Sequence, residues 1–310
     1  MAVQEFVQDT FVNKFTKLKL AISARCSNKQ ASISQPILNS QLQTQCLTTW
    51  SSQPMLWPQQ PSKLWASTLG DAMRSDPVLL NGQLYIGNDD GGVYSLNETT
   101  GARLWRFETG GPVYAGPTLS ATGDVLFIGT VNGSEFALRA TDGHELWRYS
   151  TGSPIGSTAT LAPDGSLLYF GAYDASQYAV VASTGALVWR TQLGGAVGSE
   201  SRLTPDGTLL IVGSHDGSVR ALNTANGTVV WTYRTGAQVQ SDQILSFDGA
   251  TVFIGSDDHH VYALDVASGK PAWNFSCGAE AQSGLTLSAD GSALYFGRCD
   301  CFGWPLNRPS

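Results

Sequence analysis

One side chain returns along this sequence with a fixed period. Trp105, Trp147, Trp189, Trp231 and Trp273 stand 42 residues apart, and Trp65 precedes them by 40. A period between about 20 and 50 residues marks a repeat architecture, in which each unit buries its apolar face only by stacking on its neighbours. No local pattern constrains the fold as tightly.

The tryptophans carry the same surroundings each time. Five residues on comes Gly70, Gly110, Gly152, Gly194, Gly236 or Gly278, and four residues before the last five comes Gly101, Gly143, Gly185, Gly227 or Gly269. Upstream lie the small-then-aliphatic pairs Ser95-Leu96, Ala137-Leu138, Ala179-Val180, Ala221-Leu222 and Ala263-Leu264, and an apolar run ending in Gly87, Gly129, Gly171, Gly213, Gly255 or Gly297. The unit 237–278 reads as four strands: Val239 to Leu245, Thr251 to Ile254, Val261 to Leu264, and Ala272 to Phe275. Asp248-Gly249 makes the first turn, because glycine accepts positive φ, and the β-branched and aromatic Thr-Val-Phe-Ile run suits a buried strand. Four short antiparallel strands in 42 residues match one blade of a β-propeller.

Composition agrees with an all-β, turn-rich body. The 310 residues include 34 Gly and only 14% charged residues, and no run of 18 apolar residues offers a transmembrane helix. The net charge of −7 divides into +3 over residues 1–60 and −10 over the rest. An acidic repeat region argues against nucleic acid as a partner, since phosphate binding needs clustered Lys and Arg. Five cysteines, Cys26, Cys46, Cys277, Cys299 and Cys301, form no disulfide framework. Sequons at Asn97, Asn132, Asn226 and Asn274 matter only in a secreted chain.

Residues 1–60 stand apart as an extension, and 61–310 form the repeat domain. Phe11, Phe15, Leu18 and Ile22 fall at helical spacing with Lys14, Lys17 and Lys19 between them, followed by an acid-free, Gln/Ser-rich linker. An organelle-targeting segment, a docking helix and a plain tail all remain open, while the lysines interrupt what a secretory signal would need as its apolar centre. The expected protein is a soluble monomer, cytoplasmic or organelle-targeted.

Trp65 sits in a segment, Leu64 to Leu69, with the pattern of a fourth strand and no first three before it. At the far end, Ala281 to Leu287, Ala293 to Phe296 and 298–307 have the pattern of a first, second and third strand. The expectation is six four-stranded blades, the last completed by the N-terminal strand, which removes two open sheet edges. Pro305 disturbs the third of these strands, because it lacks an N–H for the ladder.

The motif Ala-Leu-Asp-x-x-(Ser/Thr)-Gly-x-x-x-Trp, as in Ala263 to Trp273, resembles the repeat of the pyrroloquinoline-quinone-like (PQQ-like) β-propeller family over about residues 62–307. The resemblance implies that Trp65, Trp105, Trp147, Trp189, Trp231 and Trp273 are structural staples that dock each blade on the next. It implies no single activity. Some members are quinone-dependent alcohol or sugar dehydrogenases; others bind no cofactor and act as scaffolds, including the outer-membrane-barrel assembly lipoprotein. Similar propellers end adenylating enzymes of the aminoadipate-semialdehyde type or form lumenal sensor domains of stress kinases. The dehydrogenases carry two adjacent cysteines and hold Ca²⁺ on long inserted loops. Here Asp300 separates Cys299 from Cys301 and the blades are minimal.

Two clusters are candidates for binding. The column at the start of the first strands reads Asp76, Gly116, Thr158, Glu200, Asp242, Gly284, and its carboxylates suit a cation or a basic peptide, or simply face solvent. In the loops between second and third strands, Asp90, Asp174, Asp216, Asp258 and Asp300 suit turn chemistry. There Asp257, His259, His260, Cys299 and Cys301 have the residue types of a Zn²⁺ site without its usual spacing. No catalytic triad, phosphate loop or nucleophile elbow is present. The leading expectation is a non-catalytic scaffold without a cofactor that binds a protein or peptide. The alternatives are a dehydrogenase using PQQ with Ca²⁺, and an accessory propeller of an adenylating enzyme.

Overall fold

A computed structural model describes residues 64–297. The helix and linker expected in residues 1–60, and the third strand expected at 298–307, lie outside these bounds. The chain divides into two units, Met1–Ala66 and Ser67–Ser310, and every described strand belongs to the second.

The first blade is an antiparallel meander of β1 (Val78–Leu80), β2 (Gln83–Gly87), β3 (Gly92–Asn97) and β4 (Arg103–Glu108). Four more blades repeat it, ending in the fourth strands Glu145–Ser150, Leu187–Gln192, Val229–Arg234 and Pro271–Ser276. A sixth sheet pairs Thr286–Leu287 with Leu294–Tyr295. Among the described residues there is no helix. The all-β propeller reading therefore holds, as five complete blades and part of a sixth.

Three strand assignments differ from expectation, one of them the first strand of the sixth sheet, which is Thr286–Leu287 rather than 281–287. The first strand of the fifth blade is Ile244–Leu245 rather than 239–245. The preceding residues spend their backbone bonds outside that ladder: the Val239 N–H donates to the Ser214 carbonyl, and the Gln238 carbonyl accepts from Asp257. Leu64 to Leu69, expected as the closing fourth strand, forms no strand. A fourth strand pairs only with a third, and the stretch expected to supply that third strand lies beyond the described residues.

The small-then-aliphatic pairs acquire a meaning in the ladder. Each marks a register shift in the third strand, between Ser95/Leu96, Ala137/Leu138, Ala179/Val180, Ala221/Leu222 and Ala263/Leu264. The small residue lies directly across from the tryptophan, as in Ala179↔Trp189. The bulge bends the outer strand, and the missing bulk opposite makes room for an indole.

That indole reaches the next blade. The Nε1–H groups of Trp105, Trp147, Trp189 and Trp231 donate to the carbonyls of Ala140, Ala182, Thr224 and Val266 at 2.8 to 3.0 Å. Each ring lies beneath a glycine of that blade. A Cβ on Gly143, Gly185, Gly227 or Gly269 would fall 2.5 to 2.6 Å from the ring's Cε3, and these glycines also have φ of +69° to +74°. Close approach and positive φ thus both demand glycine. The other face of the ring meets the blade's own second strand, with Phe127–Trp147 and Tyr169–Trp189 centroids 5.9 and 5.8 Å apart.

The apolar interior is divided among the seams between blades. One cluster joins Phe127, Ala137 and Trp147 to Leu168, Phe170 and Val180, and another joins Ile211, Val219 and Trp231 to Val252, Ile254 and Leu264. At the inner end of each seam the glycine closing the second strand receives a side chain from the next blade. A Cβ on Gly87 would lie 2.3 Å from Val113, and one on Gly171 2.2 Å from Val197.

Trp189→Ala is expected to lower unfolding stability by about 3–5 kcal/mol. Gly227→Ala should be destabilising alone and less so in the Trp189→Ala background, because the ring it strikes is gone. Denaturant unfolding of the double-mutant cycle should return a coupling of about 0.5–3 kcal/mol; strict additivity would refute the contact.

Candidate functional site

Each blade begins with a lead-in segment before its first strand. Hydrogen bonds between residues 41 or 42 apart stitch these segments together. The Gly116 N–H donates to Thr158 Oγ1 (2.9 Å), Thr118 Oγ1 to the Ala159 carbonyl (2.6 Å), Thr160 Oγ1 to the Ser201 carbonyl (2.7 Å), and the Glu200 N–H to Asp242 Oδ1 (2.8 Å). The predicted column of Asp76, Gly116, Thr158, Glu200, Asp242 and Gly284 is therefore a physical neighbourhood.

Its carboxylates differ in environment. Asp76 is exposed, whereas Glu200 and Asp242 are half-buried. Burial, the largest influence, pushes Glu200 up to about 7; Asp242 and Asp76 act in the same direction and Arg202 opposes them. Arg202 Nη1 lies 3.0 Å from Glu200 Oε1, and its Nε donates to the Gln243 carbonyl. Asp76 belongs to the first blade, Glu200 to the fourth and Asp242 to the fifth, and a propeller arranges its blades around one axis.

The loops between second and third strands open on the same side. The backbone N–H groups of Asp89, Val131, Tyr173, His215 and Asp257 donate to the lead-in carbonyls of Ala72, Pro112, Pro154, Ala196 and Gln238. Around the axis this row changes chemical type, whereas the position that follows it is Asp in four blades and Asn in the fifth. Tyr173 is 47% exposed, and its ring lies 5.8 Å from His215. Both rings cover Gly198, where a Cβ would stand 3.0 Å from Tyr173 and 3.2 Å from His215. Burial lowers the His215 pKa, and Asp257 opposes that. Across the face, Arg74 sits 4.9 Å from the Tyr114 ring centroid and pairs with Asp89 at 2.9 Å. Sequence reasoning missed Arg74, Tyr114, Tyr173 and His215. Their signal was irregularity within an otherwise regular repeat.

The described members of the predicted zinc set are engaged separately. Asp257 Oδ2 accepts from Gln240 (2.7 Å), and His260 Nδ1 lies 2.9 Å from the Asp258 carbonyl. His259 has a φ of 70°, and its carbonyl accepts from the Cys277 backbone N–H. Cys299 and Cys301 lie outside the described residues. Among the described residues no three His, Cys, Asp or Glu side chains converge to hold a metal. The aspartates of these loops do serve turns: the Oδ1 atoms of Asp90, Asp174, Asp216 and Asp258 accept the N–H two residues on. Their second oxygens are claimed by a residue four further on, Tyr94, Tyr178, Arg220 or Tyr262, at 2.5 to 2.7 Å.

The strand order, the docked indoles and the axial column define a β-propeller built of PQQ-like repeats. The family described as outer membrane protein assembly factor BamB matches residues 58–161 and 137–293. These spans cover most of the chain, and it belongs to this PQQ-like repeat family. No curated protein matches it. No helix among the described residues is long and apolar enough to cross a membrane.

A quinone held with Ca²⁺ needs several oxygen ligands turned to one point. In the column, Asp242 Oδ1 accepts from the Glu200 amide and Glu200 Oε1 pairs with Arg202.

The raised Glu200 pKa carries a sign. The neutral form is favoured in the folded state, so its contribution to stability is present at acidic pH and is lost as pH rises through about 7. Asp242→Asn is expected to lower the Glu200 pKa by removing a negative neighbour, and Arg202→Met to raise it. Carboxyl ¹³C NMR titration checks both, and unchanged values would contradict the shared axis.

Proposed function

We propose that this propeller is a non-catalytic binding module whose axial face takes a basic segment of a protein or peptide partner. The observation that carries the reading is the column at the start of the first strands, where the Glu200 N–H donates to Asp242 Oδ1 and Asp76 holds the matching position of the first blade, together with the exposed rings of Tyr114 and Tyr173. Carboxylates attract Lys and Arg, and tyrosine faces accept their cationic heads. The charge of −10 over residues 61–310 favours encounter with a basic partner. Membership of a family described by an assembly factor supports a scaffold role in the same direction.

The test is calorimetric titration of the full chain with a Lys/Arg-rich peptide, alongside affinity capture and cross-linking. Binding should weaken at about 0.5 M salt, where screening is strong. It should tighten as pH rises through about 7, because Glu200 then gains its charge. The triple variant Asp76→Asn, Glu200→Gln, Asp242→Asn should lose it. Binding that ignores the triple variant would refute the site. A tight complex with the quinone cofactor and Ca²⁺, or dye-coupled alcohol oxidation, would favour the dehydrogenase alternative.

A further inference from the structure

At the inner end of the seam between the second and third blades lies a carboxyl group that the axial site does not use. Glu135 is fully buried, and neither of its oxygens has a hydrogen-bond partner among the described residues. It stands across the ladder from Gly129, with Oε2 2.9 Å from where a Gly129 Cβ would be, and Ile155 of the next lead-in presses on the same glycine. The repeat supplies its own controls. The residue across from the corresponding glycine is Val93, Val219 or Val261 in the first, fourth and fifth blades, each fully buried. In the third blade it is Gln177, which accepts a hydrogen bond from Ser201 Oγ at 3.2 Å. The second blade alone of these five places an ionisable group there.

We propose that the seam between the second and third blades is a pH-sensitive joint, closed while Glu135 is protonated and loosened when its buried carboxyl ionises. An isolated charge in an apolar seam is strongly unfavourable unless a partner or water reaches it. Burial is the cause acting on Glu135, and it raises the pKa well above the ordinary carboxylate range. No neighbouring element supplies a compensating charge. Tyr149, across the ladder, packs on Phe170 and Tyr178 of the third blade. Tyr178 donates to Asp174, which also pairs with Arg190. Arg148 lies over Phe136 and pairs with Glu145. The second strand, Val125–Gly129, and the lead-in 151–159 contain no titratable side chain.

Loosening this seam would be felt at the axial face. The bonds crossing it are Ile155 N–H to the Thr130 carbonyl, Gly116 N–H to Thr158, Thr118 to the Ala159 carbonyl, and Trp147 to the Ala182 carbonyl. Three of the four involve the lead-in of the third blade, through Ile155, Thr158 and Ala159. The inference stands on Glu135 and its surroundings, independently of what the face binds.

The sign is that of a raised carboxyl: stabilisation is complete in acid and is lost as pH rises through the folded-state pKa. The experiment compares the full-length protein with Glu135→Val and Glu135→Gln from pH 5 to 9, by thermal unfolding and by hydrogen exchange. Valine suits the position, as three other blades demonstrate, and glutamine removes the charge if valine fails to fold. The unfolding midpoint of either variant, minus that of the parent, should grow as pH rises. In the parent, protection of the Ile155 amide, corrected for intrinsic exchange, should fall by up to about tenfold per pH unit above the Glu135 pKa, one unit being worth 1.36 kcal/mol. Glu135→Gln should abolish that slope while distant seams keep their protection. Parallel pH profiles in parent and variants, or loss of protection spread evenly over all seams, would overturn the proposal.

Discussion

The docked indole is the interaction on which the rest depends. A four-stranded meander has two apolar faces and cannot bury either alone. In this chain an outer-strand tryptophan bridges to the following blade, hydrogen-bonded to a carbonyl 35 residues on and capped by a glycine that tolerates no side chain. The geometry needs three partners at once: the indole, the small residue opposite that opens a bulge, and the glycine over the ring. Their shared period follows from that joint requirement.

Stability distributed over seams has a consequence for the axis. Each seam ends inward where a second-strand glycine meets a side chain from the next lead-in, and this junction is apolar in most blades. Where neutral polar groups enter, each finds a partner for one amide atom and leaves the other without one among the described residues: Gln177 accepts from Ser201, and Gln243 donates to Ser199. Glu135 finds none, so the seam that holds it differs from its neighbours in chemistry while matching them in shape. A repeat fold permits such local differences, because each interface answers mainly to the two blades that form it.

The same division separates structure from recognition. Positions that hold blades together vary little around the axis. The row Asp89, Val131, Tyr173, His215, Asp257 is tied by equivalent backbone bonds yet changes type at every blade. A backbone-anchored row whose side chains differ from blade to blade can present an asymmetric surface on a nearly symmetric frame. The carboxylates of the first, fourth and fifth blades add a charge to it that no single blade holds.

The period, the turns and the column of carboxylates were legible in the sequence, because each depends on contacts whose spacing is the repeat itself. The resemblance implied docking for all six tryptophans; four indoles are hydrogen-bonded to the following blade, while Trp273 is 38% exposed. What the small-aliphatic pairs do was not legible: a bulge is a relation between two strands, visible only once Ala179 lies across from Trp189. The first strand was overestimated for a similar reason, since apolar residues such as Val239 lie in seams without joining a ladder. The likeness of Asp257, His259 and His260 to metal ligands concerned residue type alone, and tertiary placement turned them to different partners. Burial decided the rest. Sequence by itself determines which blade carries a glutamate at position 135; only packing determines that it is buried with no described side chain or backbone group bonded to it, because solvation belongs to the surroundings of a group rather than to the group.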